Sequence, residues 1–311
     1  MTKLGHEKVS TRRATTLENT MPNLSMLKII ARETLARERM ERTPEPSLVM
    51  DDEDQVRAYV AAGRETGVMA PTYVFHGANI SDVIRPGDCV LDLACGPANQ
   101  LALVARLNPD VSFVGIDLSS AMLVQAEALI KAQGLSNVSF QAGDITCLSA
   151  FSDCSFDAVV STLSLHHLPT IEMLQQTFVE ASRVLRPNGG IYITDFSRLK
   201  VRSSIEYFAY QYRNKQPLLF TQDYLNSLLA AFTLEELKAA ALPLMGQATL
   251  SSTWLVPFMA SLKSSIRQPA NPKLHARFQE LIQALPTCHQ TDLADIIRFF
   301  RMGGLKSGLL V

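Results

Sequence analysis

The sequence predicts an α/β fold in which a mostly parallel central sheet carries helices on both faces. Five short runs rich in β-branched and other apolar residues occur between residues 88 and 195. Segments with helical periodicity separate these runs. Nearly continuous apolar strands that alternate with helices are typical of a parallel sheet that is buried on both faces.

The five predicted strands and the helices between them form the first part of the fold. The strands are 88–93, 111–116, 138–141, 156–161 and 190–195. Residues 119–133 and 170–185 have helical periodicity. Ser119 and Thr170 suit helix N-caps, and Gly134 suits a helix end.

After residue 195 the pattern becomes mostly helical. Thr233 and Glu236 have the spacing of a capping box. Helices are expected over 272–284 and 291–302. The stretch 247–260 predicts one late strand, which Pro257 limits because proline cannot donate a ladder hydrogen bond.

The composition narrows the class of protein. The 311 residues are 47% hydrophobic and 19% charged, which excludes a wholly disordered chain. A net charge of −1 provides no global field to attract nucleic acid. The five cysteines form no CxxC pair, which argues against a disulfide framework and a structural zinc site and favours a cytoplasmic location. No membrane span or secretory signal is expected, because no apolar run is long enough and the first 20 residues are polar.

The N-terminal residues 1–50 differ from the rest of the chain. We expect a tail that is partly helical or loose, with a short surface helix within 25–42. The run 43–46 (TPEP) resembles a linker. A helical pattern then begins at 51–54, where four acidic residues suit a helix N-terminus.

A turn of small residues follows the first predicted strand, in the run 90–99 (VLDLACGPAN). A strand, a tight turn and a helix N-terminus together form a nucleotide-binding corner. Asp117 ends the second strand, where a carboxylate can accept hydrogen bonds from both ribose hydroxyls. Asp144 follows the third strand, within reach of an adenine amine. Ligands of open α/β sheets bind at these carboxyl ends.

A nicotinamide-dependent dehydrogenase would use the same corner with a G-x-G-x-x-G turn. Here the run 95–100 (CGPANQ) has one glycine only, so close approach of a pyrophosphate is disfavoured. A ligand without phosphates at that turn, such as S-adenosylmethionine, fits better.

At this point the chain resembles the class I S-adenosylmethionine-dependent methyltransferases, over roughly residues 83–200. The matching segments are VLDLACGPANQ (90–100), FVGIDLSSAML (113–123), FQAGDI (140–145), FDAVVSTLSLHHL (156–168) and VLRPNGGIYITDF (184–196). The resemblance implies a Rossmann-like fold, S-adenosylmethionine as cofactor and S-adenosylhomocysteine as product.

The resemblance also implies a set of cofactor-binding residues at the ends of the strands. They are Asp92 and Gly96 at the methionine end with Ser161 nearby, Asp117 at the ribose, Leu118 and Met122 beside the adenine, and Asp144 and Ile145 at its edge. Ala94, which belongs to the same binding turn, and Ala98 stand where the family often has glycine. We therefore expect a slightly altered turn there.

His166 and His167 follow the fourth strand, close to the expected acceptor. One of them is a candidate general base, since an unperturbed histidine pKa near ~6.5 suits proton transfer. The alternative is that the pair only packs and holds the loop. No metal site is expected, because neither a carboxylate nor a further histidine at metal-ligand spacing supports one with His76.

The resemblance further divides the chain into functional parts. After the tail 1–50 comes a single methyltransferase domain, 51–311, made of an N-terminal lid (52–80), a cofactor-binding core (83–197), a substrate-covering insertion (198–245), and a late strand with C-terminal helices (246–311). Within the lid we expect Tyr59, Tyr73 or Phe75 to contact cofactor or substrate, with Tyr73 as the cofactor-binding candidate.

The function predicted from these features is methyl transfer to an oxygen, nitrogen or carbon of a small-molecule acceptor. A methyltransferase acting on RNA or protein is an alternative, disfavoured by the lack of a basic stripe and of a proline-containing signature at 161–164 (STLS). A non-catalytic cofactor-binding scaffold is the other alternative. The sequence identifies neither the acceptor nor the oligomeric state.

Overall fold

The computed structural model describes residues 24–49, 52–63, 67–268 and 271–310, excluding the side chains of residues 24 and 53. The part of the predicted tail before residue 24 lies outside the described residues. Among the helices that are described, none has the length and apolar character needed to cross a membrane.

A single twisted sheet positions the site. Its strands are β1 Cys89–Leu93, β2 Ser112–Asp117, β3 Val138–Ala142, β4 Phe156–Thr162, β5 Leu185–Phe196, β6 Ala248–Ser252 and β7 Met259–Ser264. The strand order is β3-β2-β1-β4-β5-β7-β6, and β7 runs antiparallel to both of its neighbours. The predicted α/β fold with a mostly parallel sheet is confirmed.

Helices cover the sheet and extend beyond it. They are α1 Leu24–Leu35, α2 Glu53–Ala62, α3 Ala70–Val83, α4 Asn99–Leu107, α5 Ser120–Ala132, α6 Ile171–Val184, α7 Arg202–Tyr210, α8 Leu218–Ala230, α9 Leu234–Ala240, α10 Pro272–Ala284 and α11 Thr287–Met302. The predicted caps form: Ser119 accepts from the N–H of Met122, and Thr170 from that of Met173. Thr233 opens α9 with a complete capping box.

The late strand predicted over 247–260 is present as β6, but the prediction of one strand across the whole stretch is wrong. This region holds β6, a reversal and the start of β7. The Thr253 hydroxyl accepts hydrogen bonds from the N–H groups of Phe258 and Met259 and so closes the reversal. Pro257 lies within the reversal, where its missing N–H is tolerated.

The predicted helix within 25–42 ends early, at Leu35. Residues 36–49, named here the strap, then run in non-helical conformation over the molecule. Strap backbone N–H groups pair with distant carbonyls: Met40 donates to Lys200, and Thr43 donates to Leu229. The run 43–46, which resembled a free linker in the sequence, is therefore held against the rest of the protein by long-range hydrogen bonds.

A buried ion pair joins α3 to β7 and to the C-terminal residues. Lys263 Nζ lies 2.7 Å from Asp82 Oδ2, and both side chains are almost completely buried. Lys263 also donates to Asn79 and to the carbonyl of Lys306. The amide N–H of Gly308 donates to the Asp82 carboxylate. These bonds satisfy charges that would otherwise be costly to bury.

Candidate functional site

A cavity of about 120 Å³ lies at the carboxyl ends of the parallel strands. Most of the residues predicted to bind a cofactor line it. They are Tyr73, Asp92, Ala94, Gly96, Asp117, Leu118, Met122, Asp144 and Ile145. We call it the strand-end cavity.

The turn after β1 shapes the floor of this cavity. Ala94, Gly96 and Ala98 adopt left-handed backbone angles, with φ of 54°, 54° and 61°. The two alanines adopt this conformation at a cost of roughly 1–2 kcal/mol each. The Asp117 carboxylate holds the turn, because Oδ2 accepts from the N–H of Gly96 at 2.8 Å and Oδ1 from that of Ser119 at 2.8 Å. The turn thus keeps the left-handed shape that glycine would adopt without strain.

The lining of the strand-end cavity is rich in hydrogen-bond acceptors. Asp92 is 5% exposed, and burial together with the charge of Asp117 raises its pKa to about 8. Gln100 Oε1 is buried and has no hydrogen-bond partner among the described residues, while its amide donates to the carbonyl of Tyr73. Burying such acceptors costs free energy unless a hydrogen-bond donor or a cation pairs with them. The residues therefore fit a cationic ligand that carries several donors.

Asp144 also lines the strand-end cavity, where Thr146 holds its carboxylate. Its Oδ1 accepts from both the N–H and the hydroxyl of Thr146, each at 2.8 Å. Oδ2 of Asp144 has no such bond in the described part of the chain. Leu118 is 42% exposed at the rim, whereas Met122 is buried. The wall thus combines a fixed carboxylate with apolar surface.

Two predicted site residues lie behind the cavity wall. Ser161 is fully buried, donates to the carbonyl of Leu93 at 2.9 Å and pairs with Ser164 Oγ at 2.7 Å. The wall at this level is formed by residues 162–164, so Ser161 supports the lining and does not belong to it. His166, which is 3% exposed, also lies outside the lining.

The two histidines lie in a single 3₁₀ turn, Leu165–His167, named here the His turn. Asp195, at the end of β5, receives two hydrogen bonds from His166: one from the backbone N–H at 2.8 Å and one involving Nδ1 at 2.7 Å. His167 lines the strand-end cavity. Burial and the neighbouring His166 lower the pKa of His167 to about 3, so its imidazole is uncharged at neutral pH. In this turn, His167 faces the cavity as an uncharged ring, and His166 lies behind it with its ring held by Asp195.

A carboxylate that the sequence did not indicate joins the His turn. One carboxylate oxygen of Glu45, in the strap, and one ring nitrogen each of His166 and His167 lie within 4.8 Å of one another. His76, considered with them in the sequence, is elsewhere: its Nδ1 is 2.7 Å from the Tyr192 hydroxyl.

A second cavity of about 220 Å³ adjoins the first, and Leu163 lines both. We call it the outer cavity. Its wall is mostly apolar and aromatic and draws on α7, α8, α11 and the β6–β7 reversal. The aromatic members are Phe196, Phe208, Tyr212, Phe220, Tyr224, Trp254, Phe258 and Phe299. Leu163 has a φ of 54°. Strained backbone of this kind clusters at functional sites, and here it separates the two cavities.

Some lining residues escaped sequence reasoning. Leu48 and Val49 belong to the strap and reach the strand-end cavity, and Met26 and Ile30 of α1 reach the outer cavity. The apolar character of these residues was the available signal. The charged residues between them and the proline-rich run 43–46 masked this apolar pattern in the sequence. Of the lid aromatics, Tyr59 and Tyr73 line the strand-end cavity, whereas Phe75 lies outside it.

Comparison with known proteins agrees with this geometry. Residues 84–233 match the family described as "Methyltransferase domain". The chain is 39% identical over 105 residues to trans-aconitate 2-methyltransferase of Deinococcus radiodurans, covering 34% of this chain and 36% of that one. It is 29% identical over 199 residues to 27-O-demethylrifamycin SV methyltransferase of Amycolatopsis mediterranei, covering 64% and 65%.

The chain thus spans less than two thirds of the length of these curated relatives. Among solved structures, an S-adenosylmethionine-dependent methyltransferase from Aquifex aeolicus is 16% identical, with a TM-score of 0.47 over 70% of this chain and all of that one.

Proposed function

We propose that the chain, whose residues 84–233 match the methyltransferase domain family, is a class I S-adenosylmethionine-dependent methyltransferase that methylates a small-molecule acceptor. The observation that carries the proposal is the pair of cavities that meet at Leu163. One is lined by carboxylates and suits the cofactor, and the other is apolar and suits an acceptor. The His turn lies beside their junction, since Leu163 is followed directly by residues 164–167.

In this proposal the acceptor-rich lining of the strand-end cavity holds the cofactor. Asp117 binds the ribose hydroxyls, and Asp144 with Ile145 binds the adenine edge between Leu118 and Met122. The methionine end lies near Asp92 and Gly96, where Gln100 Oε1 accepts from its ammonium group. This assignment is supported by the unpartnered Gln100 oxygen and by the buried Asp92 carboxylate, which a cation would complete.

When bound, S-adenosylmethionine would supply a methyl group that its sulfonium activates for transfer to a lone pair of the acceptor, with S-adenosylhomocysteine as the leaving group. The chain's own work is then alignment and exclusion of water, for which effective molarities can reach ~10⁵ M. The aromatic wall of the outer cavity excludes water from the acceptor. The proton that an oxygen or nitrogen acceptor loses goes to an imidazole nitrogen of the His turn.

The acceptor class that fits the outer cavity is an apolar, ring-containing molecule with a hydroxyl or amine. The stacked rings of Phe208 and Phe258, with centroids 4.0 Å apart, form part of its wall. Tyr212 donates to Asp292 at the side of the cavity. The small-molecule class is also supported by the Amycolatopsis relative, whose name specifies a demethylrifamycin. The five free cysteines support a reducing, cytoplasmic setting for the reaction.

A label-transfer experiment tests the proposal. The protein is incubated with S-adenosylmethionine carrying a trideuterated methyl group and with fractionated small-molecule extracts, and products are identified by mass spectrometry. We expect the label in an apolar small molecule, and much less of it with the Asp117→Ala variant when S-adenosylmethionine is kept at a limiting concentration. Binding of S-adenosylhomocysteine without any labelled product would favour a cofactor-binding scaffold. Label in RNA or protein fractions would favour the macromolecular alternative.

A further inference from the structure

The strap contributes to a site that the family's matched region does not contain. Residues 36–49 precede residues 84–233, yet they lie against the His turn. Two strap side chains, Arg42 and Glu45, make this contact.

Arg42 clamps the backbone around the His turn. Its guanidinium donates hydrogen bonds to four carbonyls, those of His166, Leu168, Pro169 and Ala230, at 2.6–3.0 Å. It also lies 3.9 Å from the centroid of the Phe232 ring. A planar guanidinium with its donors engaged in this way fixes the position of the strap relative to the turn.

Glu45 lies three residues further along the clamped strap. Its Oε1 accepts a hydrogen bond from Ser227 of α8 at 3.0 Å. Its carboxylate lies within 4.8 Å of a ring nitrogen of His166 and of His167. Burial raises the pKa of Glu45, and the nearby His166 opposes that rise. The carboxylate thus interacts with the histidines through space, at a distance that the clamp and Ser227 set.

The charges around the histidine pair are mostly negative. The groups that face the pair are Glu45 and Arg42 from the strap and Asp195 from β5, with Asp223 of α8 beside Glu45. Arg198 and Glu236 lie beside Arg42, so four carboxylates face two guanidinium groups in this region. An opposite charge within about 4–6 Å favours the charged form of a titrating group. The carboxylates therefore offset part of the cost that burial places on an added proton at the pair.

We propose that Glu45 is a positioning residue of the methyl transfer, stabilising the proton that the acceptor gives to the His166–His167 pair. The inference rests on the proposed function, because it assigns the proton's destination in that reaction. The protons balance in this step, because the acceptor atom loses one proton and an imidazole nitrogen of the pair gains it. Asp195 fixes the ring of His166, and Glu45 supplies the second negative charge.

The test is a histidine titration by NMR in the full chain. Protein with ¹³C-labelled histidine is titrated as wild type, as Glu45→Gln and as Glu41→Gln, with resonances assigned from His166→Asn and His167→Asn. Glutamine keeps the oxygen that accepts from Ser227, so the fold is preserved. Glu41 is an exposed acid on the same strap and serves as the matched control.

We expect Glu45→Gln to lower the apparent pKa of the histidine pair by about one unit and Glu41→Gln to leave it unchanged. An unchanged apparent pKa in Glu45→Gln overturns the proposal. Calorimetric titration with Zn²⁺ provides a second criterion: tight binding that Glu45→Gln abolishes would make the three side chains a metal site and would also overturn it.

Binding of S-adenosylhomocysteine by the same samples separates this inference from the proposed function. Wild type that fails to bind the cofactor product contradicts the methyltransferase proposal, whatever the histidine titration gives. Binding that is equal in wild type and Glu45→Gln, together with the shifted titration, supports both.

Discussion

At the scale of single residues, Asp117 has two roles that one experiment can measure. Its carboxylate closes the turn after β1, and in our proposal it also accepts from the ribose. Hydrogen bonds to a charged group are worth about 1.5–3 kcal/mol, so Asp117→Ala should weaken S-adenosylhomocysteine binding roughly ten- to hundredfold. Isothermal titration calorimetry measures this change, with the exposed Asp110→Ala as control. Equal affinity in wild type and Asp117→Ala would contradict the ribose assignment.

Asp92 makes cofactor binding sensitive to pH. Burial and the charge of Asp117 raise the pKa of Asp92 to about 8, so the free site keeps a proton at pH 7 that an unfolded chain would release. Folding stability of the ligand-free protein therefore falls as pH rises from about 4 to 8. A cationic ligand favours the ionised carboxylate, so binding at pH 7 should release a proton.

Calorimetry in two buffers with different ionisation enthalpies measures that proton release. We expect up to about one proton from wild type and none from Asp92→Asn, since the amide does not titrate. Equal release from both proteins would place the titrating group elsewhere.

At the scale of elements, the sequence predicted strands most accurately where the buried residues are also hydrophobic. The apolar runs that became β1, β2 and β4 are examples. β7 was missed because its buried residues include the polar Ser261, Lys263 and Ser264. Lys263 and Ser264 are satisfied by partners far along the chain, among them Asp82 and the N–H of Ile191. A periodicity based on hydrophobic residues cannot detect a strand of this composition.

The contribution of the buried Lys263–Asp82 pair to stability can be measured by replacing Lys263. Replacing Lys263 by Met leaves the Asp82 carboxylate buried with only neutral partners, and breaking a buried pair in this way costs about 3–5 kcal/mol. Urea denaturation of Lys263→Met should show a loss of this size in the free energy of unfolding. Lys238→Met, on the exposed face of α9, is the control. Similar stabilities for the two variants would mean that the pair contributes little.

At the scale of the whole molecule, most residues that line the strand-end cavity were predictable from the sequence, and those that line the outer cavity were not. Asp92, Asp117 and Asp144 lie at or just after the carboxyl ends of consecutive strands, and parallel topology brings these ends together. Arg42 and Glu45 act across more than 100 residues of sequence, so no local pattern reveals their contacts with the His turn and α8. The outer cavity likewise depends on tertiary packing of α1, α7, α8 and α11.

The predicted lid, residues 52–80, is divided by the structure into two helices with different roles. α3 is buried along 12 of its 14 residues, and its Phe75 stacks on Phe300 of α11 with centroids 5.1 Å apart. Phe75 therefore belongs to the core, although Tyr73 of the same helix lines the strand-end cavity. α2 is less enclosed: it packs on α5 and α8 and contributes Tyr59 to the cavity.

Lids come from the low-stability regions of a structure, so the two helices should respond differently to ligand. In hydrogen exchange with and without S-adenosylhomocysteine, we expect amides of α2 to exchange several-fold more slowly when ligand is present. Amides of α3 should be protected in both states, because their helix is held by α4, α10, α11 and β5 whether or not the cavity is filled. α3 thus serves as the internal control. Equal protection of α2 in both states would mean that Tyr59 forms part of a fixed wall and that the chain has no lid at this edge of the sheet.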